Sequence, residues 1–200
     1  MSDDLNSVLR ALNRPMRASS DFDLNRLEGL PEGRKLRPAG VLIAIHQKSE
    51  GASVILTKRS SLLKHHPGQI AFPGGKLDAA DQSVVCAALR EAREEIGLVH
   101  TNIDILGTLP DHETVTGFRV TPVVARVKSV FEPVPEAGEV DEIFEVPLSH
   151  VLQCDRYRIE GRYWRGTIRR YYVAPFGPYY IWGATARMLR QLAEAVRDEA

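Results

Sequence analysis

The chain has 200 residues, of which 44% are hydrophobic, and its 26 basic residues balance its 26 acidic ones. This length suits one domain with a sizeable core, and the zero net charge excludes a global field that would recruit nucleic acid or an anionic membrane. No apolar run approaches the ~20 residues of a membrane span and no secretory signal begins the chain, so a cytoplasmic protein is expected. Cys86 and Cys154 have no metal-ligand spacing, and Cys86 is expected to be a small buried hydrophobe.

The first 36 residues are predicted to form an N-terminal helical extension, followed by a main domain over 37–200. Apolar residues of the extension recur at helical spacing: Leu5, Val8, Leu9 and Leu12. Pro15 ends this pattern. No catalytic role is expected here, and two alternatives stay open for the segment: a homodimer contact or a brace on the domain.

The next segments predict a β-hairpin that leads into a cationic loop. Apolar stretches over 40–46 and 53–58 are typical of buried strands joined by a turn. The loop over 59–72 carries polar and basic side chains, and arginine can grip phosphate in a bidentate manner. The candidates for substrate binding at the strand end and in this loop are Lys58, Arg59, Lys64, His66 and Gln69.

A helix is predicted in the second half of the stretch 74–98. Its apolar side chains share one stripe: Val85, Leu89, Ala92 and Ile96. Its acidic side chains share another: Glu91, Glu94 and Glu95. Like charges on adjacent turns repel, whereas a bound divalent cation would reverse the sign of that interaction. A solvated acidic face is the alternative interpretation. Asp81 or Ser83 can cap the start of the helix, and Gly97 suits its end.

Further elements are predicted after this helix: strands over 103–109, 119–127, 143–146 and 165–173, and an amphipathic helix over 184–199 that packs and does no chemistry. Between the first two strands, a polar loop could rim a site, but a solvated loop is the favoured interpretation of His112 and Glu113. The last strand adds positive charge at Arg165, Arg169 and Arg170.

Gly75 and the run REAREEIGL over 90–98 together resemble the signature of the Nudix hydrolases. The run matches the second half of that signature in full. In the first half, Asp81 stands where the family has glutamate, and the spacing from Gly75 to Arg90 is one residue longer than the general pattern. The longer spacing and two further segments resemble the coenzyme A pyrophosphatase branch. These segments are LTKRSS to FPGG over 56–75 and IWGATA over 181–186.

The resemblance implies an α/β (α+β layered) Nudix fold, in which a mixed sheet is sandwiched between helices. It also implies Mg²⁺ or Mn²⁺ as cofactor, with these candidate ligands: Glu91, Glu94, Glu95 and the backbone carbonyl of Gly75. Arg90 would position the carboxylates. A further glutamate from the acidic cluster at 136–142 would act as general base or metal ligand, and the candidates are Glu139 and Glu142.

The reaction implied is metal-dependent hydrolysis of the pyrophosphate bond in coenzyme A or a derivative. Its products would be 3′,5′-ADP and 4′-phosphopantetheine or the acyl form of the latter. Three alternatives stay open at this point. One is a Nudix hydrolase that acts on ADP-ribose or a dinucleotide such as NADH, and another is a non-catalytic nucleotide-binding module. The third, a nucleic-acid-processing protein, is disfavoured by the neutral charge.

Overall fold

The computed structural model describes residues 3–25, 33–164 and 166–198, so Arg165, the last residue of the predicted C-terminal helix and part of the predicted extension lie outside it. The helices are α1 (Asp3–Leu12), α2 (Val84–Ile96), α3 (Leu148–Val151) and α4 (Gly183–Arg197). The strands are β1 (Ser19–Ser20), β2 (Arg37–Lys48), β3 (Gly51–Arg59), β4 (Ile70–Ala71), β5 (Gly74–Lys76), β6 (Ile103–Thr108), β7 (His112–Glu113), β8 (Phe118–Val127), β9 (Val140–Pro147), β10 (Arg158–Trp164) and β11 (Thr167–Val173). None of the helices in these ranges is long and apolar enough to cross a bilayer.

Strands β1 to β9 form one mixed sheet. Strands β2 and β8 lie side by side in parallel at its centre, while β3, β5, β6 and β9 join by antiparallel pairing. The predicted hairpin is present, because β2 and β3 pair from Ile45 with Val54 to Lys48 with Gly51. The predicted strands are therefore found, each within a few residues of its expected bounds.

Helices cover both faces of this sheet, as the alternation of side chains along β2 requires. Leu42 and Ala44 point to the face covered by α2, where they pack with Ala92 and Ile96. Ile43 and Ile45 point to the opposite core, to which α1, α3 and α4 contribute their apolar side chains. The predicted α/β sandwich is confirmed.

Helix α2 is held in place at both of its ends and pressed against the sheet. The Oγ of Ser83 accepts a hydrogen bond from the backbone N–H of Cys86 at 3.2 Å, and Gly97 ends the helix at φ 72°. A Cβ on Gly40 would lie 2.0 Å from the carbonyl oxygen of Val84, so only glycine allows this approach of helix to strand. Cys86 itself is only partly buried, because it lies in the first turn and not on the stripe against the sheet.

The N-terminal helix α1 shares the core of the main domain. Leu5 and Val8 are fully buried and belong to the same apolar cluster as Leu189 and Leu192 of α4. After the helix, β1 pairs in parallel with β7. This packing is that of a brace on the domain. The boundary at residue 36 and a homodimer contact stay predictions.

A second, two-stranded sheet consists of β10 and β11, which pair antiparallel over their full length. Only the second of these strands lies within the predicted segment 165–173. The first strand has a polar sequence with a glycine inside it and mostly exposed side chains, so it lacks the apolar signal of a buried strand. Strand β11 lies against α4, which holds the hairpin beside the main sheet.

Candidate active site

The three glutamates of α2 differ sharply in exposure, although they were predicted to share one stripe. Glu95 is only 4% exposed, and its Oε2 accepts a hydrogen bond from the backbone N–H of Gly74 at 3.2 Å. The side chain of Glu91 is 16% exposed and that of Glu94 is 56% exposed. A Cβ on Gly75 would lie 2.2 Å from Oε1 of Glu91, so the glycine turn brings its backbone against this carboxylate.

Arg90 connects the carboxylates of this region through one guanidinium group. Its Nη1 donates to Oε1 of Glu91 at 3.0 Å and to Oε2 of Glu94 at 2.9 Å. Its Nε and Nη2 bind both oxygens of Asp81 at 3.1 and 3.0 Å. The Arg90 guanidinium lowers the pKa of Asp81 below its ordinary value. Asp81, which stands in the place of the family's glutamate, is thus a partner of Arg90, and Arg90 holds two of the three helix glutamates.

Burial changes the titration of the two inner glutamates. Loss of hydration raises the pKa of Glu95 to about 8, and the N–H of Gly74 only partly opposes this effect. Burial also raises the pKa of Glu91 above its ordinary value, against the lowering effect of Arg90. The charges of neighbouring glutamates add to both increases. A cation bound beside Glu91 and Glu95 would therefore stabilise their charged forms.

The donor atoms suit a hard divalent cation, because carboxylate and carbonyl oxygens are the ligands that Mg²⁺ and Mn²⁺ prefer. Among the described residues, no three His, Cys, Asp or Glu side chains converge as a ready ligand set. Glu91 and Glu94 are both bound by Arg90, whereas Glu95 accepts a hydrogen bond from the backbone of Gly74. The ion pair with the exposed Glu94 contributes at most about 1 kcal/mol, so this side chain can turn towards a cation at little cost. The residues present fit the predicted cofactor.

The two candidates for the additional glutamate lie in different surroundings. Glu139 precedes β9, and its charge contributes to the raised pKa values of Glu91 and Glu95. Glu142 lies on β9 opposite Lys58 and accepts a hydrogen bond from the hydroxyl of Tyr179. The structure therefore brings Glu139 near the helix glutamates and holds Glu142 against a tyrosine.

A cavity of about 460 Å³ is lined in part by Gly74, whose backbone N–H binds Glu95, but not by the glutamates of α2 themselves. Of the five predicted substrate-binding residues, three line this cavity: Arg59, His66 and Gln69. Lys58 and Lys64 do not. Among the described residues, five arginines line the cavity: Arg59, Arg162, Arg169, Arg170 and Arg187. Of these, Arg59 belongs to the predicted substrate-binding set.

The wall of this cavity also contains an N-terminal carboxylate that sequence reasoning missed. Asp21 lines the cavity and contacts Arg169, with 3.2 Å between Oδ2 and Nη2. Its other oxygen lies 3.3 Å from Nε2 of His112, whose Nδ1 lies 2.9 Å from Oγ of Ser19. His112 is fully buried, so its interpretation as a solvated loop residue is wrong. Its partners are about 90 positions away in sequence, and no local pattern could indicate them.

In the metal-free protein, we expect the free energy of unfolding to fall as the pH rises from about 4.5 to about 8. The folded-state pKa of Glu95 is about 8 and its ordinary value is 4.5, so between these values the folded chain binds a proton that the unfolded chain has released. Stability that is present at low pH is therefore lost towards pH 8, at up to about 1.4 kcal/mol per pH unit. Urea unfolding in EDTA at pH 5 and pH 8 measures this slope.

The variant Glu95→Gln should flatten that slope, because the amide does not titrate in this range. The matched control is Glu132→Gln, which changes an exposed loop glutamate and should keep the wild-type slope. Equal slopes in wild type and Glu95→Gln would contradict the assignment of the effect to Glu95.

Comparison with known proteins gives concordant matches. A model of the NUDIX domain family matches residues 36–164. Two curated relatives, from Citrobacter koseri and Salmonella typhimurium, are each named "Uncharacterized Nudix hydrolase NudL". Each is 39% identical over 174 residues, which cover 87% of this chain and 90% of the relative.

Solved structures share the fold at lower identity. RenU, a Nudix hydrolase from M. Smegmatis, superposes with a TM-score of 0.56 at 20% identity over 82% of this chain and 88% of that one. The NUDIX domain of NrtR from Shewanella oneidensis, solved with ADP ribose, gives 0.51 at 18% identity over 90% and 96%. The family model matches residues 36–164, which is more than half of the chain, and the NudL relatives are 39% identical to this chain. The chain therefore belongs to the Nudix hydrolase family.

Proposed function

We propose that this Nudix hydrolase cleaves the pyrophosphate bond of coenzyme A or its acyl derivatives. The observation that carries the proposal is the arginine-lined cavity, whose lining includes Gly74, the residue that donates a hydrogen bond to Glu95 of α2. A cavity of this volume suits a small-molecule ligand. Five of the described arginines line it, two of them paired with carboxylates, and coenzyme A carries a third phosphate on its ribose in addition to the diphosphate. The segments at 56–75 and 181–186 that resemble the coenzyme A branch also contribute lining residues, including Gln69 and Trp182.

In this proposal the glutamates of α2 and the backbone of Gly75 hold Mg²⁺ or Mn²⁺. When bound, such an ion neutralises phosphate charge and lowers the pKa of a coordinated water molecule. Glu91, Glu94 and Glu95 supply the carboxylate oxygens, and Arg90 keeps the first two oriented. Nudix hydrolases generally require divalent metal ions, which agrees with this assignment.

Hydrolysis needs one proton acceptor and a means of holding the diphosphate. Glu139 is the proton acceptor in this proposal, because it lies near enough to Glu91 and Glu95 for its charge to raise their pKa values. The carboxylate of Glu142 instead accepts a hydrogen bond from the hydroxyl of Tyr179. Water adds to one phosphorus, its proton passes to the carboxylate, and the bond from that phosphorus to the bridging oxygen breaks. Arg59 lines the cavity and lies near enough to Glu95 to lower its pKa, so it can pair with the phosphate oxygens at the point of cleavage.

Product identification by mass spectrometry tests this assignment. The purified protein is incubated with Mg²⁺ or Mn²⁺ and, separately, with coenzyme A, NADH and ADP-ribose. We expect 3′,5′-ADP and 4′-phosphopantetheine from coenzyme A, with a kcat/KM higher than for the other two compounds. Intact coenzyme A beside cleaved ADP-ribose or NADH would assign the protein to another Nudix substrate, and binding without any cleavage would indicate a nucleotide-binding module.

A further inference from the structure

Two arginines lie directly opposite each other on the β10–β11 hairpin. Arg162 and Arg169 are register partners in this antiparallel pair, and both line the cavity. Directly opposed side chains in an antiparallel pair have their Cβ atoms about 4.5–5.5 Å apart, so like charges at such a position destabilise the hairpin. This arrangement costs stability unless an anion lies between the two guanidinium groups.

The compensation of charge within the cavity is incomplete at this pair. Arg169 contacts the carboxylate of Asp21 at 3.2 Å. Arg187, which also lines the cavity, is already paired with Asp23 at 2.7 Å and Glu194 at 3.3 Å. Arg162 forms no ion pair with a carboxylate of the described ranges 3–25, 33–164 and 166–198. The hairpin side of the cavity therefore carries excess positive charge.

Asp21 also fixes where Arg169 can lie. Its carboxylate is held by the backbone N–H of Val115 at 2.9 Å and by the ring of His112, which is fully buried. Because the carboxylate cannot move freely, the guanidinium group that it contacts is held at the cavity wall. The pair thus combines one anchored arginine with one that is free to close on a ligand.

We propose that Arg162 and Arg169 form a subsite for a phosphomonoester of the substrate, separate from the pyrophosphate that is cleaved. This proposal rests on the proposed function and deepens it, since the group would be the ribose 3′-phosphate of coenzyme A. A phosphomonoester carries about −1.5 to −2 charges near neutral pH, and two guanidinium forks match both its charge and its oxygen geometry. The subsite lies on a hairpin whose second strand is outside the family match at 36–164.

Binding of two nucleotides that differ only in this group tests the subsite without hydrolysis. Calorimetry on metal-free protein compares 3′,5′-ADP with 5′-AMP. We expect the wild type to prefer 3′,5′-ADP, and Arg162→Ala to reduce the ratio of the two affinities about tenfold, as expected for loss of a charged hydrogen bond. Arg169→Lys keeps a cation beside Asp21 and should reduce the ratio by less than Arg169→Ala. The matched control is Arg158→Ala, an exposed arginine of the same strand that does not line the cavity.

Kinetics with coenzyme A and dephospho-coenzyme A separate this proposal from the proposed function. The ratio of kcat/KM values for the two substrates should fall in the Arg162 and Arg169 variants and stay constant in Arg158→Ala. Suppose that coenzyme A is cleaved, but that no variant changes the affinity ratio of the two nucleotides or the kcat/KM ratio of the two substrates. The subsite is then wrong and the proposed function stands. If coenzyme A is not cleaved while the affinity ratio still depends on Arg162, the proposed function fails and the subsite stands. An equal loss of ratio in Arg158→Ala would overturn the subsite.

Discussion

Replacing Glu94 with glutamine should lower kcat about 10³-fold, because a carboxylate proposed to hold the cation is lost and a bound cation stabilises the transition state by several kcal/mol. Glu94 is the most exposed of the three helix glutamates, so it can contact both a cation and a substrate. Glutamine has the same shape but one fewer anionic oxygen for a hard cation. Steady-state kinetics on the substrate that the wild type cleaves, at saturating Mg²⁺, measures the change.

The fold should survive this substitution, because the side chain is exposed and loses only a surface ion pair with Arg90. The melting temperature in EDTA should therefore match that of the wild type. Glu132→Gln, at an exposed glutamate of the loop before β9, is the matched control and should keep full activity. A folded Glu94→Gln protein with near-normal kcat would refute the role of this carboxylate in catalysis.

Arg90→Lys should reduce kcat about 10–100-fold, the usual loss when a residue that orients metal ligands is removed. The guanidinium group binds Asp81 with two nitrogens and reaches Glu91 and Glu94 with a third. Lysine keeps the charge but has one nitrogen, which cannot hold three carboxylates in fixed positions. The apparent Mg²⁺ affinity, obtained from the dependence of rate on Mg²⁺ concentration, should weaken in the same variant.

The control for this change is the identical substitution three residues further along the same helix. Arg93 is exposed and Arg93→Lys should leave both kcat and the Mg²⁺ dependence unchanged. Equal kinetics in Arg90→Lys and the wild type would mean that a positive charge at position 90 is sufficient. The geometry of the guanidinium group would then play no part in positioning the carboxylates.

The sequence predicted the central part of the molecule well, because its signals are local. Apolar runs of buried strands and the helical stripe of α2 mark the elements, and Ser83 and Gly97 mark the ends of the helix. The exposures of the three glutamates could not be read from spacing. They depend on where the glycine turn passes, which decides that Glu95 is buried against Gly74 while Glu94 reaches solvent.

The outer wall of the cavity was missed because its residues meet only through the tertiary fold. Asp21 comes from the N-terminal segment, and no sequence pattern links it to His112 or Arg169. The β10–β11 hairpin did leave a signal. The dipeptide at 165–166 has glycine in second place, which is typical of a two-residue hairpin loop. Counting outwards from that loop pairs Arg162 with Arg169, which is the register found.

The contact between Gly40 and the first turn of α2 limits how this protein can diversify. Since a side chain there would collide with the carbonyl oxygen of Val84, substitution of Gly40 would force α2 away from the central strand. Most of the described side chains of the β10–β11 hairpin are exposed, so replacing them would leave this spacing unchanged. If the proposed subsite is correct, replacing arginines on that hairpin would change which substrates bind without moving α2.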